Sequence, residues 1–144
     1  MANTSIRVLV VEDHERYREF MSSLLQNSLR FRVISQVANG AEAVPIAKNL
    51  RPDLILLDIG LPGLNGIEVA RRILQLCPGS KILFVSQESS EDVVKEALNT
   101  GALGYVLKGD VGSDLLPAMN SVLLGKKFMS RAVRRELEAS TINK

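Results

Sequence analysis

Tryptophan is absent from this chain, and histidine and cysteine occur once each, as His14 and Cys77. A single thiol cannot close an internal disulfide, so the cysteine count fits a reducing compartment. Aromatic residues make up only 4% of the chain, so any core rests on Leu, Ile, Val and Ala. No apolar run approaches membrane-spanning length, and no basic-then-apolar signal segment opens the sequence. A cytoplasmic protein with no membrane contact is the default expectation. Net charge is only +2, with Lys and Arg scattered until the C-terminal stretch. That lacks the clustered basic face of a nucleic-acid binder, so no direct nucleic-acid binding is expected of this chain. Repeats and low-complexity stretches are missing too. What remains is 144 residues, 46% hydrophobic and 24% charged, the size and balance of one folded domain.

Strand-like and helix-like patterns alternate five times along it. Ile6–Val11 reads as a buried strand, and a helix around Glu15–Ser28 carries Tyr17, Phe20, Met21, Leu24 and Leu25 at helical spacing. Phe31–Val37 is a second, more amphipathic strand. Asn39-Gly40 breaks the pattern before a helix ending near Leu50, with Pro45 expected to kink or delay it. Leu54–Leu57 is the third strand, and Asn65 caps a helix through about Leu76. Lys81–Val85, a short helix over Ser90–Asn99, and the strand Gly104–Leu107 follow. Ser113 is placed as the cap of the last core helix, with Pro117 inside its first turn. Such βα repetition implies an α/β domain, a parallel sheet covered by helices on both faces through right-handed crossovers. The expected domain is 1–125. Residues 126–144 form a basic C-terminal tail or linker, with apolar points sparse enough for a short amphipathic helix at most.

Three of the apolar runs end in polar residues: Glu12-Asp13, Asp58 and Lys108. If their strands are parallel neighbours, these ends share the sheet edge where open α/β folds place their sites. Three carboxylates and an ammonium then converge, as in a divalent-cation site beside a reactive aspartate. Glycine-rich phosphate cradles are missing from the first βα turn, which is Glu12-Asp13-His14-Glu15, so P-loop, dinucleotide and flavin-carrier readings fail. A haloacid-dehalogenase-type phosphatase wants a second acid two residues beyond its nucleophile, where this chain has Gly60. Single residues carry blander readings: His14 as a solvent-facing residue at a helix start, Cys77 as a small, partly buried hydrophobe.

With these residues in view, the chain resembles a receiver domain of a two-component response regulator. The resemblance rests on Glu12-Asp13, the stretch from Asp58 to Gly66, Ser86, and Gly104 to Lys108, in order over roughly residues 5–125. It is most similar to the branch whose receiver precedes a LuxR-type helix-turn-helix domain. The resemblance implies a flavodoxin-like, doubly wound, five-stranded parallel sheet of order 2-1-3-4-5 with five helices. It also implies that Asp58 accepts a phosphoryl group from a histidine kinase. Mg²⁺ would be held by Asp13, Asp58 and the backbone carbonyl of Gly60, and by Glu12 through a water. Lys108 would bond Asp58 and then the phosphoryl group, while Ser86 and Tyr105 would act as a switch, with Tyr105 turning inward. Departures are Gly109, where many receivers have a proline, and Pro45.

The physics of the acidic residues agrees. Like charges about 5 Å apart repel by roughly 3 kcal/mol per pair at an effective dielectric of 20. A cation, or a raised pKa, has to relieve them. Beyond the site, the resemblance implies transcription regulation through an output domain, or alternatively a stand-alone receiver acting by protein contacts. A phosphorylation-dependent homodimer is expected through helix four, strand five and helix five, where Val93, Val94, Leu98 and Leu103 look more than the sheet needs.

Overall fold

The computed structural model describes the backbone of residues 5–142 and side chains through residue 139. Six parallel strands form one sheet: β1 (Ile6–Val11), β2 (Phe31–Val37), β3 (Leu54–Leu57), β4 (Lys81–Ser86), β5 (Gly104–Leu107) and β6 (Phe128–Met129). Their order is β2-β1-β3-β4-β5-β6, the expected order with one short strand added at the edge. Six helices surround the sheet: α1 (Glu15–Gln26), α2 (Gly40–Leu50), α3 (Gly66–Leu76), α4 (Glu91–Leu98), α5 (Val111–Leu123) and α6 (Arg131–Ile142). Strands β3 and β4 are buried along almost their whole length, because helices cover both faces, so their sequences read as continuous apolar runs rather than alternations.

Two cores result. Leu9, Val11, Ile55, Leu57 and Phe84 face α2, α3 and α4, joined there by Tyr105. Val8, Val10, Leu54, Leu56, Leu83 and Val106 face α1 and α5. Each strand therefore splits its side chains between the cores with the period of two that the pleat imposes.

Local chemistry explains most of the boundaries. Asn39 is not merely a breaker: its side chain caps α2 by accepting the Glu42 N–H at 2.9 Å. Asn65 does the same for α3 with Glu68 N–H at 3.1 Å. Pro45 does not delay α2, which begins at Gly40 and runs to Leu50 around it. The last core helix departs from expectation. A 3-10 turn over Lys108–Asp110 leads directly into α5 at Val111, so Ser113 lies inside the helix and its hydroxyl donates to Asp110 O at 3.3 Å. Pro117 then sits in the helix interior rather than its first turn. Val111, Leu115, Ala118, Met119 and Val122 are all buried at helical spacing, and that stripe outweighs the hydrogen bond proline forfeits.

The segment after Gly125 does not trail away. β6 pairs with β5, Ser130 N–H donates to Tyr105 O at 3.0 Å, and α6 buries Val133 completely while packing against α4 and β5. The surplus apolar surface expected near α4 is used within the chain: Val94 is fully buried, and Val93, Leu98 and Leu103 pack on the two cores. No helix among the described residues is long and apolar enough to cross a membrane.

Candidate functional site

Strand register brings the site together. Val11 pairs with Leu57, so the residues that follow, Glu12 and Asp58, emerge side by side. Ser86 pairs with Leu107, which delivers Lys108 beside them. Asp13, Asp58, Gly60, Ser86 and Lys108, with His14, Gln87 and Glu88, line a cleft of about 200 Å³ at this sheet edge.

Lys108 is the centre of the charge arrangement. Its ammonium donates to Glu12 Oε2 at 3.0 Å and to Asp58 Oδ2 at 3.2 Å, and lies 3.0 Å from Glu12 Oε1 as well. All three residues are buried, so this is a desolvated triad rather than a surface ion pair. Burial alone pushes the Lys108 ammonium down, but the hydrogen bond to Glu12 and the charges of Asp58 and Glu12 leave it above the usual lysine value. Burial pushes the Glu12 carboxyl up to about 7, with the Asp58 charge adding to it; the His14 backbone N–H at 3.0 Å and Lys108 work against this. Asp58 Oδ1 accepts the Ile59 N–H at 2.8 Å, which fixes the carboxylate plane.

Glu12, Asp13 and Asp58 each bring a carboxylate oxygen within 4.8 Å of the others. Asp13 is exposed and the other two are buried, so the cluster opens on one side to solvent. Glu12 Oε1 is buried, with the Lys108 ammonium 3.0 Å away as its neighbouring cation. An all-oxygen set of three carboxylates, open to solvent at Asp13, fits a hard cation such as Mg²⁺, which needs only a few carboxylates and otherwise keeps its waters. The residues present therefore fit the metal.

Ser86 and Tyr105 also converge. Ser86 Oγ accepts the Glu88 N–H at 3.1 Å, and the Tyr105 hydroxyl donates to Glu88 O at 2.6 Å. Tyr105 is fully buried, its ring 6.1 Å from that of Phe84, so it occupies the inward position. Burial pushes its hydroxyl up to about 12, with the Ser86 hydroxyl opposing and Glu88 and Asp58 reinforcing the rise.

His14 is exposed, as expected, and Cys77 is buried with its thiol donating to Ala47 O at 3.6 Å. No cis peptide bond occurs among the described residues, at Gly109 or elsewhere.

Several contributors escaped the sequence reading. Gly66, at the start of α3, lies so close to Asp58 that a Cβ would fall 1.9 Å from the Asp58 carbonyl oxygen. Gly40 is pressed against Leu64 O in the same way, so the loop between β3 and α3 is gripped from both sides. Arg18 donates to Glu12 O at 2.9 Å, and the Tyr17 ring lies under the Lys108 ammonium. Glycine before a helix and basic or aromatic residues in a first turn are too common in sequences to signal such contacts.

Comparison with known proteins agrees with this geometry. Residues 8–120 match the family model of the response regulator receiver domain. The chain is 33% identical over 133 residues to the nitrate/nitrite response regulator protein NarL of Escherichia coli K12, covering 92% of this chain and 62% of that protein. Response regulator GacA of Pseudomonas viridiflava is 31% identical over 132 residues, with the same coverage of 92% and 62%. Among solved structures, a LuxR-family two-component response regulator from Aurantimonas sp. SI85-9A1 superimposes with a TM-score of 0.91 at 28% identity, covering 96% of this chain and 99% of that one. The chain thus spans less than two thirds of the length of its relatives NarL and GacA. With the parallel sheet in the order found, the acidic cluster at its edge and a family match across most of its length, this chain belongs to the response regulator receiver domains of two-component signalling, phosphoacceptors rather than enzymes in the ordinary sense.

Proposed function

We propose that Asp58 is the phosphoacceptor of this receiver, taking its phosphoryl group from a histidine kinase. The observation that carries this is the buried ammonium of Lys108 shared between Glu12 and Asp58 at the mouth of an oxygen-lined cleft. In the transfer, an Asp58 oxygen attacks phosphorus, the P–N bond of the donor phosphohistidine breaks, and the imidazole leaves with that electron pair. The product is an acyl phosphate. Such a reaction needs positioning and charge neutralisation more than acid–base chemistry.

The chain's own residues supply both. The Ile59 N–H orients the Asp58 carboxylate, and Lys108 passes from a carboxylate oxygen to a phosphoryl oxygen as a compact point charge. Glu12, Asp13, Asp58 and the Gly60 carbonyl would hold Mg²⁺, which when bound neutralises phosphoryl charge. The Ser86 hydroxyl is placed to bond a phosphoryl oxygen. A shift of Ser86 toward the phosphoryl group would stretch the bond its oxygen accepts from the Glu88 N–H and so rearrange the loop to which the inward Tyr105 is tied. Phosphorylation would then bias a two-state surface formed by α4 and β5. Self-association through that surface would require α6, which packs there, to shift. Regulation of transcription through an output domain is part of this reading, and the length of NarL and GacA beyond the matched stretch leaves room for such a domain.

The test is labelling. Incubation with acetyl phosphate and Mg²⁺ should give a base-labile acyl phosphate on Asp58 by mass spectrometry. Labelling of Asp58→Ala, or undiminished labelling in excess chelator, would refute the assignment. Sedimentation with and without beryllofluoride reads the self-association.

A further inference from the structure

We infer that Tyr17 is a positioning residue for phosphoryl transfer, the face of its ring holding the Lys108 ammonium in the site while that ammonium changes partners. The inference rests on the reading of Asp58 as phosphoacceptor and Lys108 as its companion. Lys108 Nζ lies 4.7 Å from the Tyr17 ring centroid. Two sides of the ammonium meet the carboxylates of Glu12 and Asp58, and another meets the ring. His14 meets the same ring edge to face, with centroids 5.7 Å apart and planes at 72°. The first turn of α1 therefore presents an aromatic face to the buried end of Lys108.

Packing does not account for this. The residues of α1 that enter the core are Met21 and Leu25, whereas Tyr17 is half-buried and Phe20 is 46% exposed. The chemistry of the site gives the ring a use. Once Asp58 is acylated, Lys108 must give up part of its carboxylate contact and follow the phosphoryl oxygens. A carboxylate in the place of Tyr17 would compete for the ammonium at that moment. An aliphatic side chain would leave the flexible lysine stem free to swing toward solvent. An aromatic face attracts the cation without offering it a charge to be surrendered, and so accompanies it through the exchange. For an ammonium as desolvated as Lys108, a contact of this kind shifts an equilibrium by roughly five- to thirtyfold.

The experiment compares Tyr17→Leu and Tyr17→Phe with the wild-type chain in two measurements. The first needs no phosphorylation: the Lys108 Cε methylene signal in a carbon–proton NMR spectrum, assigned by its loss in Lys108→Arg. Ring current should shift it upfield in wild type and Tyr17→Phe, and the shift should vanish in Tyr17→Leu. The second is the rate of acyl-phosphate formation at fixed acetyl phosphate and saturating Mg²⁺. Tyr17→Leu should be slower by roughly five- to thirtyfold, and Tyr17→Phe within about twofold of wild type, with Mg²⁺ affinity equal in all three. Equal rates for Tyr17→Leu and wild type would overturn the inference. So would a Tyr17→Phe as slow as Tyr17→Leu, which would make the hydroxyl the active part, or a Mg²⁺ affinity that falls with the rate. A wild-type chain that takes up no label overturns the phosphoacceptor reading instead, and the inference with it; normal wild-type labelling keeps the two failures apart.

Discussion

Replacing Lys108 by methionine removes the single positive charge that Glu12 and Asp58 share. At an effective dielectric of 20, charges separated by 3.0 and 3.2 Å attract by roughly 5 kcal/mol each, and the cost of burying all three groups offsets much of that. The variant keeps the buried carboxylates and loses their counter-charge, the situation that costs about 3–5 kcal/mol when one partner of a buried pair is deleted. For a domain of this size the melting temperature should fall by on the order of 10 °C in chelator at neutral pH. A divalent cation would then replace the lost charge. Mg²⁺ should therefore raise the melting temperature of Lys108→Met more than that of wild type, and should bind it at least as tightly. Acidic buffer should also narrow the gap, because protonating Glu12 removes one of the two stranded charges. Thermal melts followed by circular dichroism, with Mg²⁺ titrated from chelator, read all three effects. A variant as stable as wild type in chelator would refute the idea that Lys108 compensates these carboxylates. So would one whose Mg²⁺ affinity collapses, because the carboxylates would then depend on Lys108 for their ability to hold the metal.

Three further outcomes follow from the same geometry. Gly66→Ala places a methyl group against the Asp58 carbonyl, so it should destabilise the fold by about 1–3 kcal/mol in urea denaturation and slow Asp58 labelling; unchanged labelling would show that the carbonyl's position does not matter. Glu12, raised from 4.5 to about 7, binds its proton more tightly in the folded chain, so its contribution to stability is full below pH 4.5 and is lost as pH rises toward 7. In metal-free buffer Glu12→Gln should flatten the decline of stability across that window, and an equal slope in both proteins would count against the assignment. Ser130→Ala loses the bond from Leu107 N–H at 3.0 Å and the one to Asp114 at 3.1 Å, and should cost about 1–3 kcal/mol and raise hydrogen exchange at Leu107; unaltered exchange there would be the contrary result.

Much of the fold was legible because strands buried on both faces and amphipathic helices leave different patterns, and because Asn39-Gly40 and Asn65 mark helix starts chemically. The candidate site was legible where a charge stands at the end of an apolar run, as at Asp58 and Lys108. Two kinds of feature stayed hidden. Ser113 looked like a cap because its own chemistry suits one, but the buried stripe beginning at Val111 starts the helix earlier. Gly66, Tyr17 and Arg18 act through approaches that depend on how α1 and α3 meet the sheet, and sequence spacing carries no trace of such distances. α6 takes the form of the short amphipathic helix that the sparse apolar points allowed: Val133 and Leu137 share one face in an otherwise polar stretch, and their spacing alone could not show that this face docks on the core.

The two-residue strand β6 determines which margin of the sheet is open to another chain. β5 has only four residues, and along it the outward backbone groups are taken: β6 pairs with its first half, while the Ser130 hydroxyl accepts the Leu107 N–H. That border is sealed against strand addition. The opposite border, β2, is the longest strand of the sheet and has no strand beyond it among the described residues; exposed Arg32 and Gln36 are what discourage pairing there. Cutting the chain at Gly125 would strip the seal from β5 and give the sheet two sticky margins instead of one. A shortened domain used to study phosphorylation should therefore retain the residues through α6, since otherwise aggregation would be mistaken for signalling-dependent assembly.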